Sequence, residues 1–510
     1  MLARHFLVRA MKHCSALVIT AVVAACSDSD PVAESTARDA LDLRQKVAQK
    51  LMLDIRYFCP GEQRPTAGTM GGRHCDQPVT ELAPELAGMI RDSDLGGIIL
   101  FADNLEHSAQ IVRLNRALQQ AAAQSRSGLP LLIGIDQEGG RVNRLPRDEA
   151  AAFAGNMAIG ATYAREGDRF ASATAEVMAD QLRALGFNVN FAPTLDVNSN
   201  PDNPVINVRS YSEDPQVVAD LGSASVAAFQ RRGVAATVKH FPGHGDTSVD
   251  SHTGLPRVER SLDQARAIDL LPFKQAIQDA QPALTMTAHI QYPALDTTTL
   301  TSRSGEQMLA PATLSRKILS GILREEMAYE GVIVTDSLGM AGISDYFTPE
   351  EALVKTFAGA DIALMPIKIR YPEDLDQLGR LIDRVVEAVE VGELSLDELE
   401  ASVGRVQSLK QRYIDGEWAQ LEEAEALLNA KAVLATSEHR TLADTLASAA
   451  LTNIFAPQPS VLPIIDSQTR EVQVLTPNPA IGEAFRIALE QVSDVVVSIL
   501  TPRQAAAQAA

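Results

Sequence analysis

Residues 234–256 read VAATVKHFPGHGDTSVDSHTGLP, an apolar run that passes directly into a polar, glycine-rich loop. The run Val234–Val238 has the length and composition of a buried strand. The loop Lys239–Pro256 contains three histidines, two aspartates, one lysine and three glycines. In barrel folds, loops at the carboxyl ends of strands hold the functional residues. The stretch therefore predicts a buried strand that ends in a functional loop.

Eight apolar, strand-like runs alternate with helical patterns from Leu41 onward. The predicted strands are Leu51–Ile55, Gly97–Phe101, Leu131–Ile135, Val189–Ala192, Ala235–Val238, Leu284–Ala288, Val332–Thr335 and Ile362–Met365. Helical spacing is found at Ala109–Gln124, Ala171–Leu185, Leu262–Ala280, Leu314–Met327 and Asp374–Val391. This alternation indicates a parallel sheet. Eight units, most of them ending in polar residues, predict an α/β fold with a (β/α)8 TIM-type barrel over residues 41–416.

The two ends of the chain differ in character from this barrel region. Residues 1–26 combine basic residues with a short apolar run that ends in Val23-Ala24-Ala25-Cys26, which resembles a bacterial lipoprotein cleavage box. We expect a lipoprotein signal peptide over 1–26, lipidation of Cys26 and a flexible tether over 27–40; ordinary cleavage near Ala25 is the alternative. Residues 417–510 predict a helical linker and a short, partial α/β segment, which we interpret as truncated or atypical.

Composition excludes some classes of function. The net charge of −20 argues against nucleic-acid binding, which needs basic surface patches. No dinucleotide fingerprint and no phosphate-binding GxxxxGK[ST] motif follows a predicted strand. Cys59 and Cys75 flank a Gly/Pro/Arg-rich loop, and in an exported protein they predict a disulfide. Two unpaired thiols, or a zinc site that also uses His74, are the alternatives.

Three side chains have the types that nucleophilic and acid/base chemistry requires. Asp250 lies two residues before His252, so its carboxylate can fix the tautomer of the imidazole and raise its basicity. Asp336 follows the run Val332–Val334 and is placed to attack an anomeric carbon. Each also has a plainer interpretation, since Asp250 and His252 could be exposed loop residues and Asp336 could cap a helix.

Binding of a sugar requires charged and bidentate hydrogen-bonding groups around its hydroxyls. Suitable side chains lie at or near predicted strand ends, namely Asp136, Arg144, Arg209, Lys239 and His240. Taken singly, these side chains have plainer interpretations, since Arg144 and Arg209 could form surface salt bridges and Lys239 could be a solvated lysine.

Five stretches of the chain resemble glycoside hydrolase family 3, in its β-N-acetylglucosaminidase branch. They are KHFPGHGDTSVDSH at 239–252, IDQEGGRVNR at 135–144, RSY at 209–211, MTAHIQYPALD at 286–296 and VIVTDSLGM at 332–340. They occur in the family's order and cover most of residues 41–412. The resemblance implies a retaining mechanism with Asp336 as the nucleophile and His252, paired with Asp250, as the general acid/base.

The same resemblance implies roles for the remaining motif residues. Those that would hold the non-reducing GlcNAc are Asp136, Arg144, Arg209, Lys239 and His240. His244 would shape the loop, and His289 would be structural. We further expect the segment Phe241–Val249 to be a glycine-hinged, mobile loop that brings His252 over the substrate.

The activity implied by the resemblance is hydrolysis of terminal β-linked GlcNAc from peptidoglycan fragments or chitin-type oligosaccharides, without a cofactor or a metal ion. The expected partners are such an oligosaccharide or muropeptide and a membrane reached through the lipid anchor. The expected state is an exported, membrane-anchored monomer. The alternatives are a β-N-acetylglucosaminide phosphorylase, a β-glucosidase or xylosidase of the same family, a metal-dependent barrel hydrolase and a non-catalytic sugar-binding lipoprotein.

Overall fold

Eight short parallel strands form one sheet. The structure, a computed structural model, describes residues 41–62, 74–452, 469–502 and 504. The strands are Leu51–Asp54 (β1), Gly97–Leu100 (β2), Leu132–Ile135 (β3), Val189–Asn190 (β4), Ala235–Phe241 (β5), Leu284–Thr287 (β6), Val332–Thr335 (β7) and Ala363–Leu364 (β8). Every residue in them is buried. Burial on both faces explains why the sequence shows continuous apolar runs rather than alternation.

The sheet curves round until its last strand meets its first. Strands pair in chain order from β1 to β7, and β8 pairs with β1 in the register Leu51↔Ala363. A parallel bridge between Val334 and Ile362 links β7 to the residue before β8. The predicted (β/α)8 TIM-type barrel is therefore confirmed.

Helices surround the barrel between the strands. Their bounds are Leu43–Ala48, Pro84–Ser93, Ser108–Ala123, Asn156–Glu166, Arg169–Ala184, Pro215–Arg231, Leu262–Gln264, Leu271–Ala280, Ala341–Ser344, Pro349–Phe357, Leu375–Glu390 and Leu396–Tyr413. Two predicted helices differ from a regular α-helix, because Ala265–Asp269 and Lys317–Glu326 are π-helical. The first of these segments is followed by Pro272, which has no N–H to donate to the preceding turn. A small antiparallel hairpin, Thr299–Thr301 with Gln307–Leu309, precedes β7.

One apolar core joins the barrel interior to the helix Leu396–Tyr413. All eight barrel strands contribute to it, through Met52, Ile99, Leu132, Val189, Ala235, Met286, Val334 and Leu364 among others. Val406, Leu409 and Tyr413 of the helix belong to the same cluster. Lys410 of this helix donates to the Oε1 atom of Gln49, just before β1, at 2.6 Å. The helix therefore covers the amino-terminal end of the barrel and leaves the carboxyl end for a site.

The described part of the chain divides into two compact units, with the division between Ala447 and Ser448. Helices Gly416–Gln420 and Glu423–Val433 pack on the first unit, where Trp418 Nε1 donates to the carbonyl oxygen of Ala184 at 3.2 Å. These two helices, which the sequence predicts as a helical linker, therefore belong to the first unit. In the second unit, strands Glu471–Leu475 and Val496–Leu500 pair in parallel and are connected by the helix Pro479–Val492. This is the short α/β segment that the sequence predicts.

The predictions for the amino terminus concern residues that lie outside the described part of the chain. They are the signal peptide over 1–26 with Cys26, and the tether over 27–40. Among the residues that the structure does describe, no helix is both long enough and apolar enough to cross a lipid bilayer.

Candidate active site

A cavity of about 800 Å³ lies at the carboxyl end of the barrel strands. Seven of the eight side chains predicted for catalysis or sugar binding line it, and they are Asp136, Arg144, Arg209, Lys239, His240, His252 and Asp336. Asp250 does not line the cavity but is bonded to His252. The barrel thus gathers residues that are two hundred positions apart in sequence.

Asp336 is the first residue after β7 and lies in the cavity wall. Its Oδ1 atom accepts a hydrogen bond from the Ser337 backbone N–H at 2.7 Å. Burial alone would raise the pKa of the Asp336 carboxyl, but the imidazoles of His289 and His240 outweigh burial and hold that pKa below its usual value. The next helix begins at Ala341, so Asp336 is not its cap. Asp336 is therefore an ionised carboxylate that is available to a ligand.

A buried ionic cluster lies in the same cavity. Glu138 accepts two hydrogen bonds from Arg209, at 2.8 Å from Nη2 and 3.0 Å from Nε, and its Oε1 atom is 2.7 Å from Lys239 Nζ. Lys239 Nζ also lies 2.7 Å from Asp136 Oδ1. Burial opposes the ionisation of Glu138, but the cations of Arg209 and Lys239 outweigh burial and lower the pKa of its carboxyl. Burial also opposes the charge of Lys239, but the carboxylates of Asp136 and Glu138 outweigh it and raise the pKa of the ammonium group. The cluster therefore presents two cations and two carboxylates in fixed positions.

Asp196, which follows β4, organises the start of the loop after β5. Its Oδ2 atom lies 2.7 Å from His240 Nδ1, and its Oδ1 atom accepts from the backbone N–H groups of His240 at 3.2 Å and His244 at 2.6 Å. His244 is buried and bonded to Thr247 Oγ1 and Ser251 Oγ, at 2.7 and 3.1 Å. Burial lowers the pKa of His244 to about 4, so this imidazole is neutral at pH 7. His244 therefore shapes the loop, as the resemblance implies.

The expected mobile loop differs in part from what the sequence predicts. Phe241 belongs to β5, and residues 242–247 are mostly buried rather than free to hinge. Asn203 fastens this half by donating from Nδ2 to the carbonyl oxygens of His244 and Gly245, at 2.9 and 3.1 Å. Only the second half is exposed, with 43% of Val249 accessible to solvent. The physical reason is that the first half packs against the loop after β4, a contact that the sequence pattern does not reveal.

The exposed half of the loop holds the predicted acid/base pair. His252 Nδ1 lies 2.7 Å from Asp250 Oδ1, which also accepts from the His252 backbone N–H at 2.9 Å. Burial works against the charge of Asp250, but its bonds with His252 lower the pKa of the carboxyl. The His252 side chain is 60% exposed. Since Nδ1 is bonded to a carboxylate, Nε2 is the atom that can exchange a proton with a ligand in the cavity.

Both ring nitrogens of His289 are bonded within the barrel. His289 is buried, with Nδ1 2.8 Å from Thr313 Oγ1 and Nε2 2.8 Å from the carbonyl oxygen of Ser337, and burial lowers its pKa. These two bonds give it the structural position that the resemblance implies.

Arg144 lines the cavity, and its buried Nε atom has no hydrogen-bond partner among the residues that the structure describes. An Arg144 donor is therefore available to a ligand.

A disulfide joins Cys59 to Cys75, with their Cα atoms 5.8 Å apart. Cys59 N donates to the carbonyl oxygen of Arg370 at 2.9 Å, and Cys75 N donates to the Tyr371 hydroxyl at 2.8 Å. Arg370 is paired with Asp54, the last residue of β1, at 2.6 Å. The disulfide therefore closes a segment within the connection that follows β1, and hydrogen bonds at both cysteines attach this connection to the residues after β8. Because the two sulfur atoms are bonded to each other, neither is a thiolate that could bind zinc.

The ligand types of a metal site occur in the loop after β5, but each side chain is directed to its own partner. His240 is bonded to Asp196, His252 to Asp250, and Asp246 to Arg260 at 2.9 Å. Over the described ranges, no group of three or more His, Cys, Asp or Glu side chains lies close enough together to hold a metal ion.

Two residues of the site were not predicted as such from the sequence, Glu138 and Asp196. Both lie at or just after predicted strand ends, which is the signal that could have identified them. Their partners, however, come from strands that are distant in sequence. The contribution of each carboxylate becomes visible only when the barrel brings these partners together.

Comparison with known proteins places the chain in a family. Residues 42–409 match the sequence profile described as "Glycosyl hydrolase family 3 N terminal domain". The chain belongs to glycoside hydrolase family 3, as its motifs suggested.

Individual relatives are similar over most of the chain. It is 47% identical over 460 residues to "Beta-hexosaminidase A" of Pseudoalteromonas piscicida, which covers 90% of this chain and 74% of the relative. Among solved structures, a family 3 β-N-acetylglucosaminidase from Paenibacillus sp. str. FPU-7 is 33% identical, with a TM-score of 0.72 over 92% of this chain and 82% of that one. NagZ from Neisseria gonorrhoeae, solved with N-trifluoroacetyl-D-glucosamine, is 27% identical, with a TM-score of 0.58 over 79% and 98% of the two chains.

Proposed function

We propose that the chain is a retaining β-N-acetylhexosaminidase that hydrolyses terminal β-linked GlcNAc by double displacement. One observation carries the proposal: an ionised carboxylate, Asp336, and a carboxylate-bonded imidazole, His252, line a single cavity from two different loops. A retaining glycosidase needs one nucleophile and one acid/base on either side of the scissile bond. The names of the Pseudoalteromonas and Paenibacillus relatives support the same activity.

The first step forms a covalent intermediate. An Asp336 oxygen attacks the anomeric carbon while the bond to the leaving oxygen breaks, and His252 gives that oxygen its Nε2 proton. In the second step, neutral His252 takes a proton from water as the water oxygen attacks the same carbon, and Asp336 departs as a carboxylate. Asp250 stabilises the imidazolium in the first step and keeps the tautomer correct in the second. An imidazole in this role does not raise the pKa of Asp336 as a second carboxylate would.

The ionic cluster and its neighbours hold the sugar. Asp136 accepts from a hydroxyl group, while Lys239, Arg209 and Arg144 donate. His240, fixed by Asp196, completes the set. Because these groups are already positioned by their own hydrogen bonds, little ordering is needed when the substrate binds.

The test is an activity panel on the purified protein. We expect hydrolysis of p-nitrophenyl β-GlcNAc in preference to the β-glucoside and β-xyloside, with retention of configuration by NMR. The rate should not depend on inorganic phosphate; formation of GlcNAc-1-phosphate would instead make the protein a phosphorylase. Asp336→Asn should lower kcat by about 1,000-fold or more, because the nucleophile is lost. An unchanged rate in this variant would contradict the assignment of Asp336.

We further propose an exported, lipid-anchored monomer that acts on peptidoglycan fragments or chitin-type oligosaccharides. Residues 1–26 support export and lipidation at Cys26, and the Cys59–Cys75 disulfide fits an oxidising compartment. Radiolabelled fatty acid should be incorporated into the full-length protein in bacteria and not into its Cys26→Ser variant. A soluble wild-type protein without label would rule out the anchor. Turnover of N,N′-diacetylchitobiose against a GlcNAc–MurNAc-peptide, and gel filtration, test the substrate and the monomer.

A further inference from the structure

The acid/base loop, residues 242–254, contains one charged side chain in its fastened half, Asp246. The half that holds Asp250 and His252 is exposed, and the His252 side chain itself is largely in solvent. The position of the imidazole over the cavity is therefore set by what holds the loop at its base. Hydrogen bonds from Asn203 hold the backbone there. The side chain of Asp246 has a separate, charged attachment.

That attachment is Arg260, which follows the loop in the chain. Its Nη2 atom donates to Asp246 Oδ1 at 2.9 Å and to Ser199 Oγ at 2.6 Å. Its Nε atom lies 3.2 Å from Asp269 Oδ2. Only 12% of the Arg260 side chain is exposed. One guanidinium thus connects the acid/base loop, the loop after β4 and the π-helical segment Ala265–Asp269.

Asp269 is the buried end of this connection. It is 1% exposed, and its Oδ2 atom accepts from the Tyr292 hydroxyl at 2.7 Å. The loop lies directly against it, because a Cβ atom added to Gly243 would meet Asp269 Cβ at 2.8 Å. Burial raises the pKa of Asp269 to about 6, although Tyr292 and Arg260 both oppose this. The charged form of Asp269 at neutral pH is therefore stabilised by the Arg260 guanidinium beside it.

We propose that Arg260 is a positioning residue for the acid/base histidine, acting through the ion pairs that hold the loop at Asp246 and Asp269. The proposal rests on the proposed role of His252. Arg260 is not among the residues that line the cavity, so it is placed to act through the loop. Its effect is on the geometry of proton transfer, where a displacement of about 1 Å can cost about 100-fold in rate.

The test compares two substrates that differ in their need for a proton. N,N′-diacetylchitobiose has a poor leaving group that His252 must protonate, whereas 2,4-dinitrophenyl β-GlcNAc has a leaving group that departs without protonation. For Arg260→Gln we expect kcat/KM to fall about 10- to 100-fold on the first and less than about 3-fold on the second. Arg260→Lys should recover part of the loss, since it keeps the charge without the fork that reaches both carboxylates.

Arg257→Gln is the matched control, because Arg257 belongs to the same segment but is paired with Glu259 at the surface. It should leave both substrates unchanged. Hydrogen exchange across residues 242–254 should rise in Arg260→Gln and not in Arg257→Gln. If Arg260→Gln does not fold, Asp246→Asn breaks the same ion pair at its exposed end and should give the same selective loss.

Two results would overturn the proposal: an equal loss on both substrates in Arg260→Gln and Asp246→Asn, or no loss together with unchanged exchange of the loop. A wild-type protein inactive on both substrates contradicts the proposed function instead. In that case the hydrogen exchange still tests whether Arg260 anchors the loop.

Discussion

Glu138 is a carboxylate with almost no access to solvent, and it is held between two cations. Its charge is stable there because Arg209 and Lys239 together compensate for the lost hydration. Removal of the charge leaves both cations buried with one partner fewer. Glu138 is thus important both for the stability of the barrel top and for the positions of the two side chains that would hold the sugar.

For Glu138→Gln we expect the free energy of unfolding to fall by about 3 kcal/mol. KM should rise more than kcat falls, because Lys239 and Arg209 lose the carboxylate that fixes them. Urea unfolding and steady-state kinetics measure the two effects. The control is Glu326→Gln, which removes an exposed ion pair with Arg266 and should change stability by no more than about 0.5 kcal/mol. Equal stability of the two variants would contradict the role given to Glu138.

The position of the acid/base loop is fixed by a close backbone contact between Gly245 and Val197. A Cβ atom on Gly245 would lie 1.7 Å from the carbonyl oxygen of Val197, which leaves no space for a side chain. The loop after β4 and the loop after β5 are therefore in direct backbone contact at this position. Any residue other than glycine must therefore displace the acid/base loop relative to the loop after β4.

Gly245→Ala is accordingly expected to lower kcat/KM on N,N′-diacetylchitobiose by at least about 10-fold, since the shift is transmitted to His252. Circular dichroism should show a retained fold. Gly254→Ala is the matched control, because its Cβ would meet only a Val249 methyl group at 3.4 Å, and its kinetics should stay within about 2-fold of wild type. Similar kinetics in the two variants would show that the contact at Gly245 does not govern the loop.

At the scale of the elements, the positions of the eight strands could be predicted, because strands that are buried on both faces appear in the sequence as continuous apolar runs. Val332–Thr335 was predicted at its observed bounds, and the other strands to within a few residues. The extension of β5 to Phe241 could not be predicted, because Lys239 and His240 are polar residues whose burial depends on Asp136, Glu138 and Asp196. Similarly, the apolar spacing of Lys317–Glu326 is compatible with an α-helix, and tertiary packing decides its wider π-helical turn.

The site could be predicted in part for a related reason. Side chains that act at strand ends, such as Asp336, stand out beside apolar runs. Side chains that act through a partner do not, and Arg260 and Asp269 have no local signal because their partners lie on other elements. The residues in contact with a substrate are thus more visible in the sequence than the residues that position them.

At the scale of the whole molecule, the two ends of the barrel have different roles. Asp361, just before β8, is 1% exposed and accepts from Arg324, Arg405 and the backbone N–H of Ile333. Burial disfavours its charge, but Arg324 and Arg405 outweigh burial and lower its pKa. This network lies at the end of the barrel opposite the cavity. In this architecture, one end of the barrel therefore contributes mainly to stability, and the opposite end holds the cavity in which the reaction takes place.

Asp361→Asn should lower the free energy of unfolding by about 3 kcal/mol, because Arg324 and Arg405 lose a buried counter-charge. Kinetics measured below the unfolding transition should match wild type in both KM and kcat. Thermal unfolding with parallel assays on p-nitrophenyl β-GlcNAc distinguishes this variant from Glu138→Gln, which changes both properties. A large change in KM here would mean that the two ends of the barrel are coupled.

The pairing of β8 with β1 also has a consequence for the order in which the protein is made. Leu51 and Ala363 are about 300 residues apart in sequence, so the seam is among the most non-local contacts in the chain. At about 5–20 residues per second, the ribosome supplies β8 about 15–60 seconds after β1. During that interval the edge of β1 that β8 will cover is unpaired, and an unpaired strand edge can associate with other chains. The barrel therefore cannot close, and the cavity cannot be complete, until β8 has been made and has paired with β1.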